Sequence, residues 1–186
     1  MSTTLVFIGD GLVAGGQWVD WLPDYEVQNL GIGGETTDDV LARLDMVVEL
    51  DPDAIALGIG TNDLGWRRSD EYVVRNIETI LVTLRKRLPD TRILIHSVPP
   101  REREFADAIR SINRHLWQFA PTTHAQYLDL WPALAEADGE LNPAFTHDRL
   151  HFTPQGYEAW LSELKPALET LFEFPPSSSA IPVQHA

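Results

Sequence analysis

Asp148 and His151 stand three residues apart in the run Asp148-Arg149-Leu150-His151, just ahead of Phe152-Thr153-Pro154. That spacing lets both side chains leave the same side of a turn. A carboxylate so placed can accept the imidazole Nδ1–H, which fixes the tautomer and leaves Nε2 free as a base. An ordinary helix-entry turn with Asp as its cap has the same spacing, so the pair alone assigns nothing. A second run, Gly60-Thr61-Asn62-Asp63, offers a side-chain amide able to donate to an oxyanion, with Asp63 expected to hold the turn through backbone N–H groups. A plain Asx-turn would read the same way. A third run, Asn29-Leu30-Gly31-Ile32-Gly33-Gly34, exposes backbone N–H groups with no Cβ in the way of a negatively charged oxygen. Its bland alternative is a tight strand-to-helix turn. In the fourth run, Gly9-Asp10-Gly11-Leu12, the next glycine is Gly15, one residue late for a dinucleotide fingerprint. Asp10 would also repel a pyrophosphate, and a phosphate cradle is rejected.

These runs need a scaffold that brings them together. Short apolar runs alternate with longer amphipathic ones, the sequence form of βαβ units and a parallel sheet. Strands are expected at residues 5–8, 27–30, 54–59, 93–96 and near 127–128, giving an α/β fold with five strands. Helices are expected over 36–50, from Ser69 as N-cap to Leu88, over about 104–119, and from Thr153 as cap with Pro154 in first position. Pro166 should kink or split the last helix. Each of the four runs follows a strand end or opens a loop. In an open α/β sheet the ligand crevice lies outside the carboxyl ends of the strands, so the runs should converge on one rim.

A chain of 186 residues suffices for one well-buried core and is short for two. Residues 1–174 are read as one domain and the Pro- and Ser-rich stretch 175–186 as a disordered tail. The formal net charge of −14 argues against nucleic acid or an anionic membrane as a standing partner. There is no cysteine, which excludes disulfides and thiolate chemistry. With no basic leader and no long apolar window, no integral membrane association is expected and the chain is read as cytoplasmic. Oligomeric state is not legible.

Together the four runs resemble the SGNH hydrolases, also called the GDSL esterase/lipase family, in order and approximate spacing from residue 5 to about residue 170. The wording of 29–37 and 57–64 is most similar to bacterial members related to platelet-activating-factor acetylhydrolase and acyl-CoA thioesterase I. The resemblance implies a three-layer α/β/α, flavodoxin-like fold and hydrolysis of short acyl esters or thioesters without metal or cofactor. It implies that His151 is the base, that Asp148 orients it, and that an oxyanion hole forms from the N–H of residue 11, the N–H of Gly34 and the amide of Asn62.

The family's first run reads Gly-Asp-Ser-Leu, whereas this chain has Gly11 at the nucleophile's position. Glycine has no Oγ, so no acyl-enzyme can form there, although its N–H survives for the oxyanion. In an unrelated serine protease loss of the nucleophile costs on the order of 10⁶ in rate. A strongly impaired ester hydrolase is therefore expected. The matching surroundings favour an introduced Ser→Gly change over a natural non-catalytic binder of acylated or carbohydrate ligands. A sugar deacetylase or acyltransferase on the same scaffold is a further alternative. Thr36, Thr37 and Thr61 are read as turn residues beside the hole, not as replacement nucleophiles. Asp10, Trp66 and Arg67 are candidate substrate-binding residues, Glu102 and Glu104 are read on a loop bordering the site, and Trp18 and Trp21 are read as core.

Overall fold

A computed structural model describes residues 1–174 of the chain; the tail expected over 175–186 lies outside the described residues. Strand β1 (Thr3–Gly9) is followed by α1 (Gly11–Ala14), α2 (Trp18–Trp21), β2 (Tyr25–Gly31), α3 (Thr37–Ala42), α4 (Leu44–Leu50) and β3 (Ala54–Gly58). Then come α5 (Thr61–Gly65), α6 (Asp70–Arg87), β4 (Arg92–His96), α7 (Ala106–Phe119), β5 (Ala125–Leu128), α8 (Trp131–Leu134) and α9 (Pro154–Glu173). The five strands pair in parallel in the order β2-β1-β3-β4-β5. This is the flavodoxin-like order, and its direction reverses around β1, where β2 and β3 leave on opposite sides.

The period-two alternation of a strand explains the three layers. On β1, Val6 and Ile8 join Ile55, Leu57, Ile93 and Ile95 under α3, α4, α6 and α7. Leu5 and Phe7 join Ala54, Ala56 and Leu94 under α1, α2, α8 and α9. Trp18 belongs to this second core, fully buried and stacked on Phe7 with ring centroids 4.7 Å apart, and Trp21 packs edge-on against it at 5.3 Å.

Two expectations need correction. The helix read over 36–50 is broken at Arg43, whose backbone leaves helical geometry (φ −118°, ψ 17°). Arg43 falls in the inward stripe of Val40, Leu44 and Val47, and the break lets its guanidinium turn toward Glu35 and the carbonyl of Leu30. Pro166 does not split α9, which runs unbroken from Pro154 to Glu173. Buried Trp160 and Leu164 before the proline and Leu168 and Leu171 after it hold both halves on the same core, offsetting the lost backbone hydrogen bond.

The strand ends are level. Gly9 pairs in register with Gly31 on one side and Gly58 on the other. A Cβ on Gly9 would lie 2.1 Å from the Gly58 carbonyl oxygen, so only glycine allows this approach. The loops leaving β1, β2 and β3 thus start from one line.

Candidate active site

Asp148 is the hub of a tight turn rather than part of a helix. Its Oδ1 accepts the N–H groups of Leu150 (2.9 Å) and His151 (2.7 Å), while Arg149 at the corner adopts φ +66°. The turn is closed by a bridge between Thr146 and Phe152 and by an ion pair from Arg149 to Glu140. With the loop so held, His151 Nδ1–H donates to Asp148 Oδ2 at 2.6 Å. That bond, with the two backbone donors, holds the Asp148 carboxyl well below the usual carboxylate range. An imidazole oriented through Nδ1 presents Nε2 as a base.

His151 lines a cleft of about 50 Å³ together with Asp10, Gly11, Leu12, Gly33, Gly34, Thr61, Asn62 and Leu150. The structure therefore brings together Gly11, Gly34, Asn62 and His151, with Asp148 behind His151. Gly34 sits at φ +80°, a conformation that turns the chain after β2 and that a side chain would resist. Asn62 Nδ2 donates to the Glu35 carbonyl at 2.9 Å, which fixes the amide and leaves its other N–H without a partner among the described residues. Gly11 differs from Gly34: its φ is not positive, and a Cβ there would meet only the Gly33 Cα, at 3.4 Å. The backbone at residue 11 does not require glycine.

Asp10 borders the cleft but is only 3% exposed, with Oδ1 capping α1 through the Leu12 N–H at 2.9 Å. Burial pushes its carboxyl up to about 7, against the pull of the Leu12 and Val13 N–H groups and, more weakly, of His151. Asp10 also borders an inner space of about 10 Å³ lined by His96 and Trp160, whose Nε2 and Nε1 atoms are buried without a partner among the described residues. His96 Nδ1–H donates to the Leu57 carbonyl at 3.0 Å, and burial lowers its imidazole to about 4, so the ring is neutral at pH 7. The sign of the Asp10 effect follows from proton linkage. Between pH 3.8 and about 7 the folded chain keeps a proton that the unfolded chain has released, so this stabilisation is full below that window and lost as pH rises through it. Asp10→Asn keeps the cap and removes the titration. Its melting temperature should match the parent's near pH 4 and exceed it by roughly 5–10 °C near pH 8. A pH-independent difference between the two would refute a proton-holding Asp10.

Three further residues, one inside a motif and two outside any, position the loops. Asp63, expected to hold its own turn, instead reaches across to the next loop: it is fully buried and accepts Thr37 N–H at 2.9 Å and Thr37 Oγ1–H at 2.6 Å. Arg43 donates to Glu35 at 2.8 Å and to the Leu30 carbonyl at 2.7 Å, tying the loop that carries Gly34 to the end of β2. Arg101 donates to the Thr61 carbonyl at 2.9 Å and pairs with Glu102, tethering the start of α5. For Arg43 the signal was available, since a charge interrupts an apolar stripe; Arg101 carries no such mark. Trp66 and Arg67 are not among the residues lining the cleft. Trp66 is 73% exposed, and Arg67 pairs with Glu104 at 3.6 Å.

Residues 7–159 match the model of the GDSL-like Lipase/Acylhydrolase family. The chain is 29% identical over 164 residues to platelet-activating factor acetylhydrolase IB subunit alpha1 of Bos taurus, covering 82% of this chain and 69% of that protein. It is 28% identical over 183 residues to the alpha2 subunit of Rattus norvegicus, covering 92% and 79%. Among solved structures, a GDSL-like lipase from Bacteroides thetaiotaomicron superposes with a TM-score of 0.76 at 27% identity, over 90% of this chain and 88% of that one. A variant acetyl-xylooligosaccharide esterase from Geobacillus Stearmophilus shares the fold, with a TM-score of 0.73 at 20% identity over 96% and 97% of the two chains. No described helix is long and apolar enough to cross a membrane. With a family model spanning most of the chain and the 2-1-3-4-5 sheet placing its four runs at one rim, the chain belongs to the GDSL-like lipase/acylhydrolase family.

Proposed function

We propose that residues 1–174 form one hydrolase domain whose cleft binds short acyl esters, and that the chain as written turns them over slowly because residue 11 is glycine. The observation that carries this reading is the His151–Asp148 bond of 2.6 Å at the edge of a cleft that also holds Gly11, Gly34 and Asn62. In the proposed reaction the ester carbonyl oxygen is held by the N–H groups of residues 11 and 34 and the Asn62 amide, which stabilise the charge that develops there. With no Oγ available, a water in the space beside Gly11 attacks the carbonyl carbon. His151 Nε2 takes the water's proton and returns it to the departing alkoxide, so acid and alcohol leave as products. No covalent intermediate forms.

A cleft of about 50 Å³ suits an acetyl group better than a long chain, since one water alone needs roughly 10–15 Å³. The named activities of the relatives, a platelet-activating factor acetylhydrolase and an acetyl-xylooligosaccharide esterase, are also acetyl ester cleavages. The test is a p-nitrophenyl ester series from acetate to decanoate, run on the chain as written and on His151→Ala. Slow turnover is expected on acetate, falling with chain length and lost in the variant. Turnover unchanged by His151→Ala would overturn the water mechanism. Acyl-ligand binding without any turnover, even after a serine is installed at residue 11, would identify a non-catalytic binder.

A further inference from the structure

A second concavity, of about 500 Å³, lies between α7 and the residues at the carboxyl end of β5. Helix α7 contributes Arg110, Asn113, Arg114 and Trp117, spaced i, i+3, i+4 and i+7 and so on one helical face. Opposite them stand Tyr127, Asp129 and Trp131, on and just beyond the edge strand of the sheet. None of these residues lines the cleft that holds Gly11 and His151.

The groove is built on fixed supports. Asn113 is buried and exchanges two hydrogen bonds with Val98, accepting its N–H at 2.7 Å and donating to its carbonyl at 3.0 Å, which locks α7 to the loop after β4. Trp131 donates its backbone N–H to Asp129 Oδ1 at 3.0 Å, and both Trp131 and Tyr127 pack against the core. Trp117 faces them with 60% of its surface exposed. Arg110 and Arg114 make no ion pair and no side-chain hydrogen bond among the described residues. In the same acidic chain Arg43, Arg68, Arg87, Arg103 and Arg149 all rest on carboxylates. Two indoles, a phenol and two unspent guanidinium groups thus share one groove with a single carboxylate, Asp129.

We propose that this groove binds an acidic saccharide, a pyranose unit bearing a carboxylate. The C–H faces of a pyranose pack on exposed indole rings, a guanidinium fork matches a carboxylate, and an Asp129 oxygen accepts ring hydroxyls. The alternatives fit worse. A second copy of this chain would bring a further net charge of −14, far more than the few charges of a saccharide. A nucleic acid requires more than two cations to offset that charge. A neutral sugar or a lipid leaves both arginines unused. The proposal concerns binding only, and stands or falls apart from any ester hydrolysis.

The test is titration of the full chain with trigalacturonate and with its carboxyl-reduced trisaccharide, followed by tryptophan fluorescence and calorimetry. Trigalacturonate should bind with a submillimolar Kd, at least 10-fold more tightly than the reduced sugar. Trp117→Ala should weaken both by 10-fold or more. Arg114→Gln should weaken only the acid, closing the gap between the two, and added salt should do the same. Both substitutions lie on an exposed helix face, and an unchanged thermal melt verifies that each variant is folded. Equal binding of the two sugars, absence of binding at 10 mM, or binding indifferent to Trp117→Ala would overturn the proposal. So would a concentration-dependent dimer abolished by Trp117→Ala, which would assign the groove to a second copy.

Discussion

Gly11→Ser is expected to raise kcat on p-nitrophenyl acetate by roughly 10⁴- to 10⁶-fold, the largest effect of any single substitution in this chain. The reasoning is steric as well as chemical. Residue 11 has no positive φ, and the new Cβ meets only the Gly33 Cα at 3.4 Å, so the backbone accepts a side chain there. Its Oγ would arise in the cleft that His151 already lines, with an imidazole whose orientation is set by Asp148 at 2.6 Å. The hydroxyl would convert attack by a diffusing water into attack by a positioned group, and an acyl-enzyme would accumulate as a burst. Adding His151→Ala to the serine variant should remove nearly all of the gain, because nucleophile and base act as a unit and their effects do not add. A gain below tenfold, with the variant folded, would sink the assignment of residue 11 as the nucleophile's position.

Asp63→Ala is expected to cost about 3–5 kcal/mol of stability, the largest structural effect among the residues around the site. The Asp63 side chain is fully buried and accepts two bonds from Thr37, with Arg68 Nη1 at 3.3 Å as its cation. Truncation leaves the Thr37 N–H and hydroxyl without their acceptor inside the protein, and an unmade buried bond costs more than a made one contributes. For a domain of this size the loss corresponds to a fall in melting temperature of about 10 °C. Asp63→Asn keeps one acceptor oxygen and should lose about half as much. The localised readout is amide exchange: Thr37 N–H should lose protection in Asp63→Ala well beyond the average of α3. A variant as stable as the parent would show that the Thr37 contact contributes little.

Much of the architecture was legible in the sequence. All five strands fall where short apolar runs end in glycine or polar residues, and α6, α7 and α9 follow stripes of apolar residues with caps at Ser69 and Thr153. Strand and helix periods are local properties, so a single chain displays them. The break at Arg43 and the unbroken path through Pro166 were not legible. Each depends on partners distant in the chain: the Leu30 carbonyl for Arg43, and the second core for α9.

The site divides in the same way. Sequence by itself determined which groups stand on the loops around the site: Asp148 and His151 three apart, Asn62 after Gly60, Gly34 after β2, and no hydroxyl at residue 11. Residue type and close spacing carry that chemistry without reference to the rest of the molecule. Only the tertiary structure decided that Asp63 serves the neighbouring loop rather than its own, that Asp10 is almost wholly buried at the cleft with a raised pKa, and that Trp66 and Arg67 do not line the cleft. Burial and long-range hydrogen bonds are set by which distant segments pack together, and that packing is a property of the folded sheet, not of any one motif.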